Sequence, residues 1–118
     1  MNMYRELEVW KESVSLIKVV YKMAEALPKS EEYNLKQQLR RAVVSVTLNI
    51  AEGKNRRTEK DFGNFLTIAI GSLSEVDAII AVCEELEYFK CTDEIKNSIE
   101  VLGKRINALR NKLQRSNG

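Results

Sequence analysis

One set of polar residues could do chemistry. Arg41, Ser45, Asn49 and Glu52 recur at helical spacing along one side of a single predicted helix, with Gln38 before them. An arginine, an amide and a carboxylate so placed could bind a phosphate or move a proton. Ser72 and Glu75 would come level with Arg41 if the following helix ran back along this one. The other reading is structural: a hydrogen-bonded network that fixes how two helices pair, since partly buried polar groups must find partners. We read the six residues in that second way, with Arg41 and Glu75 as the expected ion pair.

The rest of the inventory excludes much chemistry. There is no histidine. That removes Ser-His-Asp and Cys-His catalysis, most catalytic zinc sites and the Glu-x-x-His di-iron sites of helical bundles. It also removes the Arg-plus-His site by which some small helical ribonucleases cleave RNA. Cys83 and Cys91 are the only thiols. On one helix they would stand about 12 Å apart along the axis, too far for a disulfide. The expectation is a pair of buried free thiols in a reducing compartment. No catalytic residue, metal site or cofactor is expected, and the chain is not expected to be an enzyme.

Charge is uneven although the formal net charge is only +2. Residues 75–100 carry eight acidic and two basic side chains. From 101 onward Lys104, Arg105, Arg110, Lys112 and Arg115 stand without an acid, and an earlier loop adds Lys54, Arg56 and Arg57. These cations are candidate phosphate contacts for a nucleic acid. Alternatively, those near a helix C-terminus merely complement its dipole.

The elements that must position these residues are helices. The 118 residues suit one domain, with 44% hydrophobic and 31% charged residues and a single proline. The first helix is expected over 6–27, with the stripe Leu7, Trp10, Val14, Ile17, Tyr21 and Ala24, stopped by Pro28. Asn34 is placed to take a left-handed turn before a second helix over 35–52, closed by Gly53. Thr58 caps a third helix reaching Tyr88 or Phe89, with the stripe Phe62, Leu66, Ala69, Leu73, Val76, Ile80 and Cys83. Thr92 caps a fourth, with Ile95, Ile99, Leu102, Ile106, Leu109 and Leu113 inward. Short connections make the expected fold all-α, an antiparallel up-down-up-down four-helix bundle. A helical hairpin extended into a coiled coil is the alternative.

The second helix has two apolar faces. Leu35, Leu39, Ala42, Val43, Val46 and Ile50 share an arc of about 100° and form the core side. Val44, Leu48 and Ala51 lie nearly opposite. A surface helix of a monomer has no use for that second face, so it is read as a subunit interface. The third helix is also over-supplied, through Phe65, Ile68, Ile79, Cys83 and Leu86.

The segment Gln38-Leu39-Arg40-Arg41-Ala42-Val43-Val44-Ser45-Val46-Thr47-Leu48-Asn49-Ile50-Ala51-Glu52-Gly53 resembles the signature of the four-helix-bundle proteins named for intervening sequences of bacterial 23S ribosomal RNA genes. Leu7-Glu8-Val9-Trp10, and Phe62, Phe65, Ala69, Gly71-Ser72 and Glu75, resemble that family too, at its spacing. Asn34 stands where the family usually has glycine. The resemblance implies an antiparallel four-helix bundle that assembles into a ring-like homopentamer. A similar bundle, strongly basic, is the accessory protein of diversity-generating retroelements, where it binds a reverse transcriptase and nucleic acid.

No apolar run approaches the roughly 20 residues of a membrane span, and the start of the chain lacks the apolar core of a signal peptide. The expected location is cytoplasmic, with no membrane partner. Two functions stay open: a homo-oligomeric scaffold or accessory protein that binds RNA or a protein–RNA complex, and a purely structural or protein-interaction module.

Overall fold

A computed structural model describes residues 3–117. A 3-10 turn, Met3–Glu6, leads into α1, Glu8–Ala24; a second, Lys29–Glu31, precedes α2, Leu35–Lys54. α3, Glu59–Glu85, and α4, Asp93–Asn117, follow. No strand occurs among the described residues.

The helix ends follow from local chemistry. Thr58 caps α3 by accepting from the Asp61 amide at 3.1 Å. Thr92 does the same for Ile95 at 3.2 Å. Asp93 and Glu94 follow it in the first turn of α4, where the dipole favours anions. α1 stops at Ala24 rather than at Leu27: the Ala26 and Leu27 amides bond three residues back, and Pro28 is extended. α3 stops at Glu85, short of Tyr88. The Tyr88 amide reaches the Cys83 carbonyl at 3.0 Å and that of Glu87 reaches Glu84 at 3.0 Å, the paired closure of a Schellman turn. That turn puts Glu87 at a φ of 61°, where glycine would be easier.

Two expected turn devices are corrected. Asn34 is not left-handed, its φ being −129°. Its side chain donates to Glu31 Oε1 at 2.9 Å and accepts from Gln38 at 2.8 Å. Gly53 does not cap α2 but lies inside it, buried, and none of the described glycines has a positive φ. Its small size is used for close approach, since a β-carbon there would sit 2.8 Å from Phe65 Cβ.

Each helix packs beside its neighbour in sequence, and α4 closes the ring against α1. Two links along each consecutive pair run in opposite senses, Ser13–Thr47 with Tyr21–Arg40, Ser45–Ser72 with Gly53–Phe65, and Thr67–Arg110 with Glu84–Lys96, so successive helices are antiparallel. The bundle is up-down-up-down, 47 × 25 × 19 Å, and not an extended hairpin. The buried stripe of α3 is the expected one, and Ile79 joins it. α1 turns differently. Val9, Ser13, Leu16, Val20 and Ala24 are buried, whereas Leu7, Trp10 and Ile17 pack at the margin and Tyr21 is exposed.

Cys83 and Cys91 are buried and free; only Cys83 is helical, Cys91 lying in the connection to α4. Burial raises both thiol pKa values, helped by the nearby charges of Glu31 and Glu84 respectively. α3 is long and apolar enough, by length and composition alone, to cross a membrane, contrary to the expectation that no run comes near it. Its inward stripe forms the bundle core, and Glu75 and Asp77 interrupt its apolar course.

Candidate functional site

The outer side of α2 gathers six of the residues marked from sequence. Arg41, Val44, Ser45, Leu48, Asn49 and Glu75 line one open hollow of about 820 Å³, bordered by Tyr21 of α1 and Tyr33 of the α1–α2 connection. Ser45 Oγ and Ser72 Oγ are 2.8 Å apart. Asn49 Nδ2 donates to the Ser45 carbonyl at 2.8 Å and to its hydroxyl at 3.0 Å. Ser45, accepting from Asn49, can give its own proton to Ser72. An amide cannot take a proton from that pair, so the trio lacks the base that an activated nucleophile needs.

The six-residue network is therefore split. The expected Arg41–Glu75 ion pair is not made within the chain: both side chains are exposed, and no ion pair of either occurs among the described residues. In water such a pair gains little against the entropy of fixing two long side chains. Glu52 belongs elsewhere, 3.4 Å from Arg56 on the exposed end of α2.

Arg40 was not among the residues marked from sequence. Its guanidinium lies over the Tyr21 ring at 5.2 Å, and its Nε is buried without an acceptor. Only the rotation of α1, which carries Tyr21 outward, brings these two together.

The second face of α2 is uneven. Leu48 is 62% exposed, while Val44 and Ala51 are half-buried and Val44 leans on the core. Ile68 and Val82 on α3, and Leu86 just past its end, are also exposed.

Four of the marked cations lie toward one end of the bundle. Antiparallel packing returns the C-terminal half of α4 to the end of the bundle where the α2–α3 loop lies, as the Arg110–Thr67 contact of 3.3 Å marks. Arg56 stacks over Phe65 at 4.6 Å and Lys54 stands 5.8 Å from the Phe62 ring centre. Arg57 is exposed and has no ion pair or hydrogen bond among the described residues. Lys104 pairs with Glu100 at 3.1 Å, and Arg105 with Glu12 further along the bundle. Arg110 also bonds Asn107 at 2.5 Å. The fold places Lys54, Arg56, Arg57 and Arg110 toward one end, with Arg56 paired to Glu52, and pairs Lys104 and Arg105 with Glu100 and Glu12. Among the described residues no group of three or more His, Cys, Asp or Glu could hold a metal.

At the opposite end Tyr88 donates to Glu31 Oε2 at 2.9 Å, and Glu31 Oε1 accepts from Asn34 and, at 3.4 Å, from the Leu35 amide. This carboxylate does the capping that Asn34 itself does not do.

The family model described as 23S rRNA-intervening sequence protein matches residues 5–108. Among solved structures, a protein of unknown function from Bacteroides thetaiotaomicron, ascribed to the S23 ribosomal protein family, is 24% identical with a TM-score of 0.69. The match covers 89% of this chain and 96% of that one. At that identity the likeness shows the fold alone. No curated protein matches the chain.

Proposed function

We propose that this chain, which belongs to the 23S rRNA-intervening sequence protein family, is a non-enzymatic, self-associating scaffold that engages RNA or a protein–RNA complex through the basic end of its bundle. The observation that carries the self-association is the outer face of α2, where Leu48 is 62% exposed beside a hollow of about 820 Å³. A large apolar side chain held out next to an open groove is a surface left for a partner. The resemblance makes a ring of five the number to test.

The nucleic-acid arm rests on Lys54, Arg56, Arg57 and Arg110 sharing one end of the molecule. Exposed ion pairs such as Glu52–Arg56 are weak, so they yield to a phosphate at little cost. Assembly repeats each small patch, and avidity then makes binding measurable although one chain has little net charge. The cations touch backbone phosphate with no base-reading motif, so binding is nearly independent of sequence and weakens steeply with salt.

Light scattering coupled to size exclusion should give several times the 13.5 kDa chain mass. Leu48→Asp should lower that mass while the helical spectrum stays. A monomer at micromolar concentration removes the scaffold. Titration of a labelled RNA with salt tests the other arm: Arg56→Ala/Arg57→Ala should reduce the salt slope. No RNA binding even at about 50 mM salt favours the protein-interaction module instead.

A further inference from the structure

The ring of helices is thinnest where it closes. α1 and α4 share the least contact of the four neighbouring pairs, and a groove of about 470 Å³ opens along their seam. Leu16 and Leu102, both buried, floor it, and Val19, Ile95 and Val101 form its sides. Val19 is 40% exposed, an aliphatic side chain on α1 with no helix outside it. Among the described residues the charged side chains lining the groove are Glu12 and Glu94. Glu12 is engaged by Arg105, whereas Glu94 is exposed and has no ion pair among the described residues.

We infer that the α1–α4 groove docks a short amphipathic helix of a partner protein, apolar on one face and carrying lysine or arginine beside it. The apolar floor reaches the bundle core, so a Leu or Ile side chain entering it leaves water on all sides, as in helix-in-groove recognition. The sign of the partner follows from Glu94, the lining carboxylate that has no ion pair among the described residues. The first turn of α4 adds Asp93 beside Glu94. A polyanion is repelled here, so this surface and the basic end take different partners. The inference depends on neither self-association nor RNA binding.

The test uses the full chain and a fluorescent helical peptide of leucine and lysine, with a leucine–glutamate peptide of the same pattern as control. The lysine peptide should bind and the glutamate peptide should not. Val19→Asp separates docking from mere attraction between opposite charges. It adds a negative charge at the groove while spoiling its apolar side, so docking predicts at least about a tenfold loss of affinity. An affinity unchanged or raised by Val19→Asp overturns the inference, as does equal binding of the two peptides. Leu48→Asp, on the far side of the molecule, should leave peptide affinity within about twofold. A loss there equal to that of Val19→Asp would place the peptide on α2 and overturn the inference as well.

Discussion

Gly53 and Phe65 hold α2 and α3 together by what Gly53 lacks: a β-carbon on Gly53 would stand 2.8 Å from Phe65 Cβ and 2.9 Å from Phe62 Cδ1. Contacts under 3 Å are not tolerated, and Phe65 Cβ is tied to the backbone, so the helices must part. On helix propensity alone alanine would be better than glycine by about 1 kcal/mol. Overpacking of this kind costs typically 1–3 kcal/mol and wins. Gly53→Ala should therefore lower the melting temperature by several degrees. A variant that melts higher than the parent would mean that the two helices separate freely at this end.

The α1–α2 pair is joined by a buried hydroxyl relay. Thr47 Oγ1 donates to Ser13 Oγ at 2.8 Å, and Ser13 donates to the Trp10 carbonyl at 2.7 Å. Ser13→Ala strands a buried hydroxyl, at about 1–3 kcal/mol. Thr47→Val leaves Ser13 its acceptor and should cost less. The double variant should be clearly less destabilised than the sum of the two, as measured by urea denaturation. Additive losses would show that the two hydroxyls do not act as a pair.

This relay also shows where the sequence stopped being legible. The stripes of α3 and α4 could be read because their inward positions are apolar at every step. In α1 the inward line runs through Ser13, and a reading that rejects polar residues slides to Trp10, Val14 and Ile17. Bundle order and the Thr58 and Thr92 caps were visible locally. Gly53 was visible as a necessary glycine, but its reason lies across space in Phe65. The groove on α2 was half legible: its residues share one helical face, whereas Arg40 on Tyr21 requires knowing how α1 turns. The α1–α4 groove left no mark, because an absence of packing has no local pattern.

Glu31 gives the bundle a titratable clasp. The Tyr88 hydroxyl chiefly holds its pKa below the ordinary 4.5; burial opposes it, and the Asn34 amide and the Leu35 backbone add to the lowering. Tyr88 is pushed above its ordinary 10 by the same contact. A carboxyl with a lowered folded pKa contributes stability above its unfolded value and loses that contribution as pH falls through the folded one. Tyr88 contributes below its unfolded value and loses that contribution as pH rises through its raised folded one. Between roughly pH 5 and pH 3 the parent should thus lose stability more steeply than Glu31→Gln. Parallel curves for the two proteins would remove the clasp.

The two thiols should be nearly inert in the folded chain. Both are buried, and burial raises the pKa of each, so little thiolate is present to react. Labelling with a disulfide reagent at neutral pH should run at least about a hundredfold slower than in denaturant, limited by opening of the bundle. Rapid native labelling that persists in Cys91→Ser protein and is lost in Cys83→Ser protein would show that the end of α3 opens by itself.

Arg41 and Glu75 face the same hollow without meeting, and this sets a prediction against intuition. A buried ion pair, once halved, costs several kcal/mol. These side chains are exposed and have no ion pair in their own chain among the described residues, so neither truncation leaves a buried charge behind. Arg41→Ala and Glu75→Ala should each stay within about 0.5 kcal/mol of the parent in chain stability. Their effect should appear in assembly if the outer face of α2 is the contact between copies: dissociation on dilution would shift while the unfolding of the separated chain would not. Thermal melts and scattering on the same samples distinguish the two. A chain that unfolds several kcal/mol more easily after Arg41→Ala would restore the intrachain pair. Unchanged mass at every concentration would move the subunit contact away from this groove.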